Sequence, residues 1–191
     1  MPRLIDHQAR EEAIVEAAWR VLVRDGAAAV SVRNVAAEAD LATASLRRAF
    51  PSQSDLLVAC LTLMGTRAEA RIRALRPRPD AVAMAMAQLG ETMPLDDRRR
   101  IEMEVYVVLG ITALSDPALR AAHQRIDAGI ERLCASVVAS LSPSAPRSER
   151  SRATRHLHAL LDGLALHLLH GMSPRAATNT LRDYVVSLAK A

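Results

Sequence analysis

The sequence predicts an all-α protein. Aromatic residues make up 2% of the chain, so a core must be built from Ala, Leu, Val, Ile and Met, which are mostly good helix formers. Runs of β-branched residues, the usual mark of strands, are few. Apolar residues recur at helical spacing between Pro, Gly and Ser stops. With 191 residues, 50% of them hydrophobic, the chain is long enough for one or two domains with a real core.

Each helix has a local justification. Residues 8–24 carry Ile14, Ala17, Ala18, Val21 and Leu22 on one stripe, and Gly26 ends that helix. Ser31 caps a second helix over 32–39. Asp40-Leu41-Ala42 turns the chain, and a third helix over 43–50 stops at Pro51. Ser52 or Ser54 caps a fourth, long helix reaching about residue 75. Arg76-Pro77-Arg78-Pro79 then breaks the chain.

An Ala- and Met-rich helix covers 80–90, and the next starts at Pro94-Leu95-Asp96 and reaches about residue 114. Pro117 opens a helix to about residue 141, where its missing N–H costs little. Residues 142–148 form the clearest loop. A helix over 149–170 ends at Gly171, and Ser173-Pro174 opens the last one, to about residue 189. The total is about nine helices, with no internal repeat. They divide into a helix-turn-helix head over 1–52 and a helical body over 53–191.

Charge says less. The net charge is +4, which favours an anionic partner without establishing one. The first 52 residues hold seven Arg and seven acids and net to zero, so any affinity for an anionic partner depends on where those charges sit. Of the basic residues only Lys190 is lysine. Two cysteines, Cys60 and Cys134, are too few for a disulfide framework and lie in apolar helical contexts, as small buried hydrophobes do.

The N-terminus lacks the apolar run of a signal peptide, and no stretch is long and apolar enough to span a membrane. The expectation is a soluble, cytoplasmic chain. A Gly-rich phosphate loop, a nucleophile elbow and a metalloprotease helix are all missing. Glu102 and Glu104 stand two apart on different helix faces and make no acid/base pair. His167 and His170 share a face, yet no carboxylate or Cys completes a metal-ligand spacing with them or with His123, His156 and His158. The expectation is no enzyme, no cofactor and no metal.

The segment 31–55, SVRNVAAEADLATASLRRAFPSQSD, carries the function. A reading helix presents its N-terminal residues to base edges in the major groove. Thr43 and Ser45 lie there, and Arg47 can reach guanine with two hydrogen bonds or clamp a phosphate. Arg48 lies about 100° further around the helix, so the two arginines do not both face bases. Ser31 and Arg33 start the helix before it and suit phosphate, as do Ser52 and Gln53 at the start of the fourth helix.

Residues 13–57 resemble the DNA-binding domain of the TetR family of bacterial transcriptional regulators. The family pattern runs here through Ala17-Ala18, Gly26, Ser31-Val32-Arg33, Val35-Ala36, Ala39-Asp40-Leu41-Ala42, Ser45-Leu46-Arg47, Phe50-Pro51-Ser52 and Leu56. Four positions depart from the family pattern. Asp40 stands where Gly is common, but Asp tolerates a left-handed turn. Ala42 replaces a Ser, Arg47 an aromatic residue and Gln53 a Lys. Recognition then leans on Arg47 and Arg48, and the operator differs from common ones.

The resemblance implies a repressor that a small-molecule inducer releases from a double-stranded, palindromic DNA operator. It also implies a homodimer in which the last two helices pair with their symmetry mates. Both carry apolar stripes: Leu157, Leu161, Leu164 and Leu168, then Leu181, Tyr184, Val185 and Leu188. Leu160, Leu166 and Leu169 extend the first stripe to a second face, and such a helix needs more than one partner. The middle helices are expected to enclose the ligand, with Met64, Met84, Met86, Met103, Tyr106, Val107 and Gly110 as candidate lining. The alternative is a helical ligand- or partner-binding protein with a vestigial head, supported by Gln53 and the neutral head charge.

Overall fold

The computed structural model describes residues 2–190, with side chains from residue 9 onward. Its α-helices are α1 Pro2–Asp25, α2 Val32–Glu38, α3 Thr43–Ala49, α4 Gln53–Arg73, α5 Ala81–Gly90, α6 Asp97–Thr112, α7 Pro117–Leu141, α8 Arg147–Leu169 and α9 Pro174–Ala189. No strand occurs among the described residues, so the all-α prediction holds. A short 3₁₀ turn, Ala27–Ala29, lies between α1 and α2. It was not foreseen, because a run of alanines carries no turn signal.

The helix starts follow local chemistry. Ser31 Oγ accepts from Asn34 N at 3.1 Å and caps α2. Ser52 and Asp55 form a capping box at α4: Ser52 Oγ accepts from Asp55 N, and Asp55 Oδ2 accepts from Ser52 N. Asp80, Asp96, Asp116 and Ser173 cap α5, α6, α7 and α9 by accepting from backbone amides of the first turn.

At the end of α2, Asp40 adopts φ 52°, and Leu41 N bonds Ala36 O at 2.9 Å. This is the left-handed closure that glycine usually makes. Gly26 takes φ 84° beyond α1.

Helix ends explain part of the arginine content. Arg99 donates to Gly90 O at the end of α5, and Arg120 to Ala113 O and Leu114 O just beyond α6. Arg100 donates to Leu168 O and Leu169 O at the end of α8, and Arg150 to Pro143 O after α7. Each guanidinium donates to carbonyls at or just beyond a helix C-terminus and adds positive charge at the negative end of the dipole.

Two compact units are present. The first takes the chain up to Arg67 together with Glu104–Arg125. In it α1 packs on α2 and α2 on α3, with Ala17, Ala18, Val35 and Leu46 all buried. The Ala17-Ala18 pair presents no bulk on the buried side of α1. Arg67 lies over the Trp19 ring at 5.3 Å and pairs with Glu16. Cys60 is buried, and burial pushes its thiol up to about 12, so it stays protonated.

The second unit comprises Ala68–Met103 and Ile126–Ala191. Its core gathers Leu89, Met93, Cys134, Val137, Val138, Leu157, Leu161, Leu164, Leu168, Leu181, Val185 and Leu188. The Cys134 thiol is likewise pushed up to about 12, mainly by burial. Both cysteines are free and buried. No described helix is long and apolar enough to cross a membrane.

Candidate nucleic-acid interface and ligand body

The reading head is assembled as its sequence requires. Leu46 is fully buried and Phe50 nearly so, which fixes the inner side of α3. Thr43, Arg47 and Arg48 are exposed on the same helix, and Ser45 is half-buried. Arg33 is exposed in the first turn of α2, and Ser31 just before it is half-buried. Ser52 and Gln53 are exposed at the start of α4. Ser52 is less available than the sequence implies, because its hydroxyl also donates to Asp55 Oδ2 at 2.7 Å. Its first role is that of a cap.

The zero net charge of the head conceals a sorting of charges. Glu38 accepts from Arg20 at 2.8 Å and from Arg24 at 2.9 Å. These bonds, Arg20's first, hold its carboxyl below the usual range. Asp25 pairs with Arg24, while Glu12 and Glu16 face Arg67. Arg33, Arg47 and Arg48 pair with no carboxylate among the described residues. The charges left without a carboxylate partner thus include those at the proposed DNA-contact positions.

The candidate ligand residues divide between the two units. Met64 is buried in the first, with Tyr106, Val107 and Gly110 half-buried in the same unit. Met84 and Met103 are half-buried in the second, where Met86 packs on the core. Around Tyr106 the structure adds a residue. His123 of α7 stacks on its ring, with centroids 4.4 Å apart and planes 14° from parallel.

A Cβ on Gly110 would lie 2.8 Å from His123 Nε2. Gly110 thus leaves the space that the imidazole fills. Gly110→Ala is expected to push the ring off Tyr106, lowering stability by about 1 kcal/mol. A wild-type urea midpoint for this variant would mean that the displaced stack costs no more than the roughly 1 kcal/mol that Gly-to-Ala returns inside a helix.

The proposed dimer face needs a correction. Leu157, Leu161, Leu164, Leu168, Leu181, Val185 and Leu188 are buried inside a single chain. They line the core of the second unit, where α8 packs on α9 and α9 on α5. Periodicity identified the apolar face correctly, but that face is covered by the chain itself. Tyr184 is half-buried and donates to Ala153 O at 3.2 Å. Its side lines a cavity of about 210 Å³ with Ser142, Arg150, Arg152 and His156. The exposed side of α8 carries Ala159, Asp162 and Leu166, the last 42% exposed.

One cluster escaped the sequence altogether. Glu102 is 4% exposed and accepts two bonds from Arg71, at 3.0 and 2.7 Å. Arg71 also donates to Glu91 at 3.0 Å, and Arg99 approaches Glu91 at 3.5 Å. Burial works against the Arg71 charge, but its carboxylate partners hold its pKa above the ordinary value. The partners lie 20 and 31 residues apart, a separation at which no local signal exists.

The profile for bacterial regulatory proteins of the tetR family matches residues 14–60, and that for the C-terminal part of BetI-type transcriptional repressors matches residues 81–190. The HTH-type transcriptional regulator PksA of Bacillus subtilis (strain 168) is 32% identical over 171 residues, covering 88% of this chain and 83% of PksA.

A transcriptional regulator from Rhodococcus sp. Rha1 superposes with a TM-score of 0.83 at 21% identity, over 94% of this chain and 96% of that one. A regulator from Saccharomonospora viridis, solved with choline, gives 0.78 at 22% identity, over 94% and 96%. At these identities the two structures show the fold. The head and the body are matched separately, and PksA spans both. The chain therefore belongs to the TetR family of bacterial transcriptional regulators, with a DNA-binding head and a ligand-binding C-terminal domain.

Proposed function

We propose that this regulator is a cytoplasmic homodimeric repressor. It reads a palindromic operator through residues 1–52 and releases it when a small molecule binds within residues 53–191. The observation that carries the reading is that Arg33, Arg47 and Arg48 stand exposed with no carboxylate partner among the described residues, while Glu12, Glu16, Asp25 and Glu38 of the head pair with other arginines. The same sorting removes the main support for a vestigial head, since a neutral sum no longer means a neutral reading surface. Ser31, Thr43, Ser45 and Gln53 complete the contact set, with Ser52 acting chiefly through its cap.

The second copy is assigned to the exposed sides of α8 and α9, with Leu166 as an apolar anchor and open space beside Gly163 for close approach. A two-fold dimer matches a palindrome, with half-sites about one helical turn or a multiple apart. Met64, Tyr106, Val107 and Gly110 are the ligand positions that share one compact unit. The ligand acts by binding the released state more tightly than the DNA-bound one.

Selection of random duplexes on the purified protein tests the reading. Enrichment of a palindrome, bound with an affinity that falls steeply with salt, is expected. Binding indifferent to sequence would sink it. On the selected operator, Arg47→Ala is expected to weaken binding by about 1–3 kcal/mol, measured by fluorescence anisotropy. Unchanged affinity would remove Arg47 from the reading set.

A further inference from the structure

We infer that Asp116, at the junction of α6 and α7, is a positioning residue for DNA binding: its carboxylate anchors the first turn of α4 through Ser54 and so fixes the phosphate-contact position at Gln53. Asp116 Oδ2 accepts from Ser54 Oγ at 2.7 Å, across 62 residues of sequence. Its other oxygen accepts from Ala118 N at 2.9 Å and Leu119 N at 3.1 Å. One carboxylate thus closes the N-terminus of α7 and holds the N-terminus of α4. The Leu119 N–H first, then the Ser54 hydroxyl, keep it below the usual carboxylate range, so it is ionised at neutral pH.

The surroundings make this anchor a firm one. Arg120 donates to Ala113 O and Leu114 O, fixing the turn that carries Asp116. Ser54 lies between Gln53 and Asp55, and Asp55 closes the capping box with Ser52. Every residue in this set belongs to one compact unit. α6 and α7, which meet at Asp116, both continue into the other unit.

The inference rests on the DNA-reading proposal, and the test separates the two. Ser54→Ala removes the bond while leaving Asp116 to cap α7, and Ser54→Thr restores the hydroxyl. Each variant is titrated against the operator selected on wild type, across salt concentrations. Ser54→Ala is expected to bind about three- to tenfold more weakly, on the scale of one lost hydrogen bond. Its salt dependence should stay that of wild type, because Gln53 is uncharged and its phosphate contact releases no counterion. Ser54→Thr should return the affinity to wild type.

Faster hydrogen exchange at the Asp55 and Leu56 amides, measured well below the melting transition, is the expected result without DNA. Wild-type affinity and exchange in Ser54→Ala would overturn the inference alone. A wild type that enriches no duplex would overturn the DNA-reading proposal and this inference together.

Discussion

Arg71→Met is expected to destabilise the protein by about 3–5 kcal/mol, the usual cost of removing one partner from a buried ion pair. Methionine keeps most of the apolar stem, so packing changes little and the effect is electrostatic. Glu102 is then left 4% exposed without its two-bonded partner. The remaining cation, Arg98, stands 3.9 Å away with its side chain 62% exposed, too distant and too wet to replace a guanidinium. Glu91 suffers less, because Arg99 still approaches it.

Urea unfolding measures the loss. The informative control is Arg71→Met with Glu102→Gln, which removes the orphaned charge and should recover at least half of it. A single variant within about 1 kcal/mol of wild type would show that water or a neighbouring group compensates Glu102, and that the pair is not a structural keystone.

Leu157→Ala is expected to cost about 2–5 kcal/mol, the range for a fully buried leucine. Leu157 is 0% exposed and lies among Leu161, Leu164, Leu181 and Val185. The substitution opens a cavity in the chain's own core. It should lower the unfolding midpoint while leaving the assembly state of the folded protein unchanged by sedimentation. A variant that unfolds like wild type but sediments as a monomer would reverse the placement and return Leu157 to the interface.

That contrast marks where reading the sequence stops. Helix ends were legible because the rules are local. Ser31 and Ser52 cap where expected, α7 and α9 start at the prolines that mark them, and Asp40 closes α2 with a positive φ. The start of α1 at Pro2, where the apolar stripe had suggested residue 8, was missed because the opening residues are mostly polar and carry little stripe. Periodicity in α8 and α9 showed which side of each helix is apolar. It could not show whether the covering side chains come from the same chain or from another copy.

The sequence by itself determined the helical class, the helix order and the reading head, because spacing, caps and the motif around Arg33, Arg47 and Arg48 act over a few residues. Tertiary structure decided which charges are spent and which are free. Glu38 with Arg20 and Arg24, Arg67 with Glu16, Arg71 with Glu102, and Asp116 with Ser54 are all pairings across long sequence separations. A charge acts over a few ångströms, and only the folded chain brings those groups that close.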